Sequence, residues 1–347
     1  MARSGLARVQ AVLLARGWPK IAWSLSLVAL WVASVAGAEV WVTNQADHTL
    51  SILEVARGTV VTTIPSGGRG PHNVTFTPDG REAWVAHVDS DTVSVIDTAS
   101  HRVVAMIPGG RRSHAVTFTP DGTLAYLANP GSHDLWLIDV ATRTVQGRLP
   151  VGKGPQLVVF SPDGRYGFVS LSGEEEVWMF DTRAAWHSAT SETASTPVVA
   201  RFLAGKDVMG LALSSDGRYL YVTAGGENRV VVIDTVARAE VASILTDLDA
   251  HGLAITPDGA YVYVANRGAN TLSVIATAQH AVVATLPTGA SPDLVAVSPD
   301  GHWLAVTNRQ DNTVSLFDLK TTRMAAVVPV GREPHGVAFH PRPRDRE

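Results

Sequence analysis

No cysteine occurs among the 347 residues. That excludes disulfides, thiolate metal ligands, a cysteine nucleophile, a lipid-modified N-terminal cysteine and the C-x-x-C-H needed to attach haem covalently. It leaves the redox compartment open. Charge is scarce too, at 17% of residues against 46% apolar, the reverse of the balance that keeps a chain disordered. The formal net charge is -4, so no basic surplus favours nucleic acid. There is also no glycine-rich phosphate loop, no G-x-S-x-G elbow and no H-E-x-x-H pair.

The first 38 residues stand apart from the rest. Arg3, Arg8, Arg16 and Lys20 form a positive n-region, and an apolar run from about Ile21 to Ala36 follows. Ala36-Gly37-Ala38 is a small-x-small cleavage site, so residues 1–38 read as a signal peptide and Glu39 as the mature N-terminus. An uncleaved membrane anchor is the competing reading, because the apolar stretch is nearly long enough to span. Against it, the first strand begins only two residues after Ala38, leaving no linker. A periplasmic or secreted protein without a stable span is therefore expected. Cleavage removes 4 basic and no acidic residues, so the mature balance is 28 - 4 = 24 basic against 32 acidic, or -8.

What remains is a repeat. Phe76-Thr77-Pro78-Asp79-Gly80 recurs as Phe118 to Gly122 and, more loosely, as Phe160 to Gly164, Leu213 to Gly217, Ile255 to Gly259 and Val297 to Gly301. A seventh, degenerate copy is Phe339-His340-Pro341. Each unit holds four short runs, illustrated by Tyr261–Ala265, Thr271–Ile275, Ala281–Leu286 and Leu294–Val297. Pro-Asp-Gly gives the tight turn after the innermost strand, and Asn266 to Asn270 and Asn308 to Asn312 turn between the second and third strands. Four evenly spaced strands in a period of about 40–45 residues predict an all-β propeller of four-stranded antiparallel blades. Counting strand types gives seven blades in a single domain over residues 39–347, with the C-terminal strand completing the N-terminal blade. One period is longer, through a polar insertion around Arg183 to Pro197 read as a surface insertion on one rim.

The strands Val40-Trp41-Val42-Thr43-Asn44, Tyr221 to Ala224 and Tyr263 to Asn266 resemble the YVTN-type β-propeller repeat family over essentially the whole mature chain. The resemblance implies the fold and leaves function open. Similar propellers serve as surface-layer and periplasmic binding proteins, one type binds single-stranded DNA, and related rings include haem-d-type, copper-carrying nitrous-oxide-reductase-like and lactonase-like propellers. Fold alone does not choose among these.

Aligning repeats on Pro-Asp-Gly exposes a column seven residues before each aspartate: His72, His114, Gln156, Met209, His251, Asp293 and His335. These positions are expected to ring the mouth of the central channel. Because the last blade abuts the first, His251, Asp293, His335, His72 and His114 become consecutive, a donor set suited to Cu or Zn. The competing reading makes the histidines turn caps. Just before this column the loops carry Arg69, Arg111, Arg112, Lys153, Lys206 and Arg332, and Arg267 and Arg309 open on the same face. On an acidic protein such a crescent focuses the field on an anion, although exposed loops also carry Lys and Arg for solubility alone.

Weaker candidates read as structural. Asp97, Asp139, Asp181, Asp234 and Asp318 end the third strand at one repeated position and read as turn residues. His87, in place of the usual Asn-like residue of its loop, and His133 are read as exposed rather than as additions to a polar site, and Trp41, Trp84, Trp136, Trp178 and Trp303 are expected to pack between blades. Two function classes follow. One is a non-catalytic binding module taking a small anion, a cofactor or a protein partner on the His- and Arg-rich face. The other is a metal- or cofactor-dependent periplasmic redox enzyme or hydrolase centred in the channel. The first is preferred, because the sequence offers no evident nucleophile–base pair.

Overall fold

A computed structural model of the protein describes residues 37–191 and 194–341. The proposed leader up to Ala36 lies outside the described residues. Seven four-stranded antiparallel sheets form the blades, and their innermost strands neighbour one another in a closed ring. In blade 1, Glu39–Asn44, Thr49–Glu54 and Thr59–Pro65 are joined by Pro334–Phe339 as innermost strand, so the two ends of the domain are hydrogen-bonded in one sheet. Blade 2 starts at Pro71, blade 3 at Ala115, blade 4 at Pro155, blade 5 at Val208, blade 6 at Ala250 and blade 7 at Pro292.

Burial follows the sequence pattern strand by strand. The second and third strands of each blade are covered on both faces by neighbouring blades and read as near-continuous apolar runs, such as Val40-Trp41-Val42 and Leu50 to Leu53. The outer strands alternate, as in Thr144–Pro150, because one face meets solvent. The core is accordingly divided into seven clusters, one at each interface between adjacent blades. Trp41 and Trp84 are fully buried there, each edge-on to the Phe of the next blade's innermost strand at 5.4 and 5.2 Å.

The turns have the predicted chemistry. Asp79 Oδ1 accepts from Thr77 Oγ1 at 2.7 Å and from the Arg81 amide at 3.1 Å, closing the turn around Gly80 at φ 70°. A Cβ on Gly80 would stand 2.6 Å from the Pro341 carbonyl, which places the degenerate seventh copy against the first turn. Asp97 and Asp139 each accept from the amide three residues on. At Asp181 the same bond, from Ala184, caps a helix, Thr182–Ala189. The long repeat therefore holds more than a polar rim loop: Ala185 and Ala189, one turn apart, are buried in the cluster between blades 3 and 4.

His87 also departs from expectation. It is fully buried, and its Nε2 lies 3.0 Å from Ser94 Oγ. In other blades an asparagine makes this link, Asn44 to Ser51, Asn266 to Ser273 and Asn308 to Ser315, each at 2.9 Å. Ser94 donates its own proton to the Ser66 carbonyl at 2.6 Å, so His87 must donate through Nε2 and serves the same structural purpose. His133 is exposed, and its Nδ1 accepts the Gly154 amide of the next blade at 3.2 Å. His48, Asn228, Asn270 and Asn312 make the same link between blades.

Candidate functional site

The column before Pro-Asp-Gly sits on a repeated backbone irregularity. At each of five blades, two innermost-strand residues stand opposite one on the second strand: Gln156-Leu157, Met209-Gly210, His251-Gly252, Asp293-Leu294 and His335-Gly336. Such a bulge leaves a residue unpaired and re-aims its side chain, here into the channel. In four blades the residue opposite is Thr or Ser, and its hydroxyl ties the bulge to the next blade. Thr43 Oγ1 accepts the Gly336 amide at 2.7 Å and donates to the His72 carbonyl at 3.0 Å. Thr307 accepts from Leu294 and donates to the His335 carbonyl, at 3.1 and 2.9 Å. Thr223 does the same for Gly210 and His251, and Ser170 for Leu157 and Met209. These hydroxyls position the channel residues and were missed from sequence, although Thr43 and Thr223 are the threonine of the repeated Val-Thr motif.

His72, His114, Gln156, Met209, His251 and His335 line one cavity of about 50 Å³. Asp293, the seventh member of the column, is fully buried among the same strands. The five-residue arc divides in two. His72 packs between His114 and His335, with ring centroids 3.9 and 3.6 Å away and ring planes inclined by 43° and 39°. His251, Asp293 and His335 instead converge, with one potential ligand atom from each lying within 4.8 Å of the others. His251 Nε2 is 2.9 Å from Asp293 Oδ1, and His335 Nε2 is 3.4 Å from Oδ2. The short approach of His251 lacks hydrogen-bond geometry, and neither oxygen of this buried carboxylate has a hydrogen-bond partner.

Two imidazoles have assigned tautomers. His335 Nδ1 lies 3.0 Å from the His72 carbonyl and His114 Nδ1 lies 2.9 Å from the Gln156 carbonyl. A carbonyl only accepts, so Nδ1 carries the proton and the neutral ring keeps its lone pair on Nε2. His72 Nδ1 is buried with no partner. Burial pulls His114 down to about 3 and, against the attraction of Asp293, His335 down to about 4. His72 is held well below the usual imidazole range, chiefly by burial and then by its histidine neighbours. Burial alone would raise the Asp293 carboxyl, but His335, His251 and Arg309 overcome it and hold the group below the carboxylate range.

Of the basic crescent, two residues reach this cluster. Arg309 Nη1 is 3.5 Å from Asp293 Oδ2 and Arg267 Nη1 is 3.8 Å from Oδ1. Both guanidiniums also have other partners, Arg267 on Asp249 at 2.8 Å and Arg309 on Glu333 at 3.0 Å. Arg332 is exposed and pairs with Asp47 at 2.6 Å, and Arg69 is exposed with a bond to the Asp89 carbonyl at 3.2 Å. Arg111, Arg112, Lys153 and Lys206 stand exposed on their loops.

Comparison with known proteins agrees with this architecture. The profile of the YNCE-like beta-propeller family matches residues 8–343, and the chain belongs to that family. No curated protein sequence matches it significantly. Among solved structures it is similar to Kuenenia stuttgartiensis hydrazine synthase, with 22% identity, a TM-score of 0.71 and coverage of 82% of this chain and 93% of that one. The dihydro-heme d1 dehydrogenase NirN is similar over 86% of this chain and 74% of its own, at 17% identity and a TM-score of 0.60. A putative 6-phosphogluconolactonase from Bacteroides fragilis is similar at 15% identity and a TM-score of 0.69, with 88% of this chain and 99% of that chain covered. At these identities the likenesses concern the fold.

Proposed function

We propose that this YNCE-like propeller is an exported, non-catalytic protein that holds a small charged ligand at the mouth of its central channel, in the cluster around Asp293. The observation that carries the reading is Asp293 itself: a fully buried carboxylate with both oxygens lacking hydrogen-bond partners, amid two imidazoles and two guanidiniums. Burying such a group costs several kcal/mol unless something compensates it, and packing alone asks for nothing charged at the innermost strand of a propeller. Four threonine and serine hydroxyls hold the bulges that aim the column inward. A site whose positions are fixed in this way loses little entropy on binding.

The size of the ligand follows from the cavity. A volume of about 50 Å³ admits an ion with one or two waters, and the heme-type ligand of the NirN structure does not fit between these rings. The exposed Arg69, Arg111, Arg112, Lys153 and Arg332 are proposed to act at longer range, on the approach of an anionic molecule or protein partner. Ser94 and His87 are in contact, but both are fully buried and the serine proton is committed to a backbone carbonyl. Export rests on the basic n-region, the apolar run and Ala36-Gly37-Ala38.

Calorimetric titration of the mature protein with zinc, copper, phosphate, sulfate and nitrate tests the binding role. Saturable one-to-one binding of at least one of them, weakened by Asp293→Ala, is expected. Binding of none, or binding untouched by that substitution, would refute it.

A further inference from the structure

The ligand chemistry can be read from which atoms face the cluster, an inference that rests on the binding role just proposed and narrows it. We infer that His251, Asp293 and His335 form a three-ligand site for a divalent first-row transition-metal ion of the zinc or copper type. The facing atoms are acceptors. His335 donates through Nδ1 to the His72 carbonyl, which leaves the lone pair on Nε2, 3.4 Å from Asp293 Oδ2. His251 Nε2 lies 2.9 Å from Asp293 Oδ1 without hydrogen-bond geometry, and only a contact at 3.5 Å joins it to Arg267 Nη1. Two imidazole nitrogens thus stand beside an ionised carboxylate with no hydrogen bond to either of its oxygens, an arrangement a shared cation would satisfy. An anion, by contrast, would compete for guanidiniums already hydrogen-bonded, Arg267 to Asp249 and Arg309 to Glu333 and Gln45.

The spacing also fits. Two ligands about 2.1 Å from one ion at angles between octahedral and tetrahedral are about 3.0–3.4 Å apart. Each imidazole nitrogen lies at such a distance from one carboxylate oxygen, His251 from Oδ1 at 2.9 Å and His335 from Oδ2 at 3.4 Å, and one ligand atom of each residue lies within 4.8 Å of the others. The Nδ1–H of His335 on a backbone carbonyl is the outer support that metal-binding histidines ordinarily have, fixing tautomer and ring orientation. Charge permits a cation despite the two arginines. Asp293, Asp249 and Glu333 against Arg267 and Arg309 are three negative charges against two positive, a local excess of one negative. Two imidazoles and one carboxylate suit borderline divalent ions rather than calcium or magnesium, which prefer all-oxygen shells. The adjoining cavity, lined also by His72 with its unpartnered Nδ1, leaves room for water or a further ligand on the ion.

The test uses the mature protein, stripped with chelator and titrated with zinc and, separately, copper, alongside inorganic phosphate. One metal ion per chain is expected, with a matching rise in melting temperature. His251→Gln and His335→Gln should each weaken it by at least about 10- to 100-fold, the loss that removing even an outer support of a metal ligand brings, while His133→Gln, an exposed histidine outside the cluster, leaves it unchanged. Circular dichroism and the metal-free melting temperature establish that each variant is folded. If His335→Gln alone fails to fold, His251→Gln still decides the matter. Metal binding of equal strength in folded His251→Gln and wild type would overturn the site. Phosphate binding lost in Arg309→Gln, with no metal uptake, would overturn the metal and leave the binding role standing. Uptake of neither ligand would overturn both.

Discussion

Replacing His87 by Asn should make the protein less stable at neutral pH and more stable in mild acid. His87 occupies the place that Asn44, Asn266 and Asn308 hold in other blades, donating to a serine on the third strand. Its Nδ1 is buried without a partner. Burial brings the imidazole from 6.5 to about 4, opposed by the Ser66 carbonyl and assisted by His48. The unfolded chain therefore takes up the proton first. The contribution of the neutral ring is complete above about 6.5 and is lost as pH falls toward 4. Between pH 7.5 and pH 5 the loss comes to about 2 kcal/mol. Asparagine has no such titration. It preserves the hydrogen bond but is smaller, at a cost of about 1 kcal/mol, in the range of small truncations in a core. His87→Asn should thus lie about 1 kcal/mol below wild type at pH 7.5 and about 1 kcal/mol above it at pH 5, as read from urea midpoints. His72, His114 and His335 are common to both proteins and cancel. A difference of the same size and sign at both pH values would show that the buried imidazole is not the acid-sensitive group it is taken to be.

Thr307→Val removes a hydroxyl that joins the Asp293 bulge to the His335 carbonyl; a loss of about 1–3 kcal/mol is expected by denaturant unfolding, and an unchanged midpoint would show that the hydroxyl column holds nothing. Deleting Gly331 to Glu347 takes away the only strand paired to the open side of Glu39–Asn44, so soluble, cooperatively folded protein should not be recovered; a truncated chain melting like wild type would mean the ring closes elsewhere. Protein recovered from the periplasm should begin at Glu39, as N-terminal sequencing will show, and an intact Met1 on membrane-bound protein would contradict export with cleavage.

The fold was legible because a propeller repeats its chemistry. Pro-Asp-Gly marks the end of each innermost strand, the doubly buried strands read as apolar runs, and a missing first strand with a surplus last one implies closure. The channel column was legible for the same reason, as a fixed offset from the turn residue Asp79 and its repeats. What alignment could not give was direction. Bulges at His251 and Asp293 lie in the register of paired strands, which a repeat offset does not show, and there His251, Asp293 and His335 converge while His72 packs against His114. Solvation at His87 is not written in the repeat: a titratable residue in a turn position reads as exposed, whereas Asn44, Asn129, Asn266 and Asn308 in the same column are buried. The helix after Asp181 was hidden by the repeat itself: the aspartate that closes a turn in other blades caps a helix when Ala185 and Ala189 follow at helical spacing.

Crystals of the mature protein soaked in zinc test most directly whether the carboxylate at the channel mouth is a metal ligand. Diffraction recorded on both sides of the zinc absorption edge should give a single strong anomalous peak between His251 Nε2, Asp293 and His335 Nε2. Zinc found only on exposed histidines such as His133, with no peak at Asp293, would contradict it.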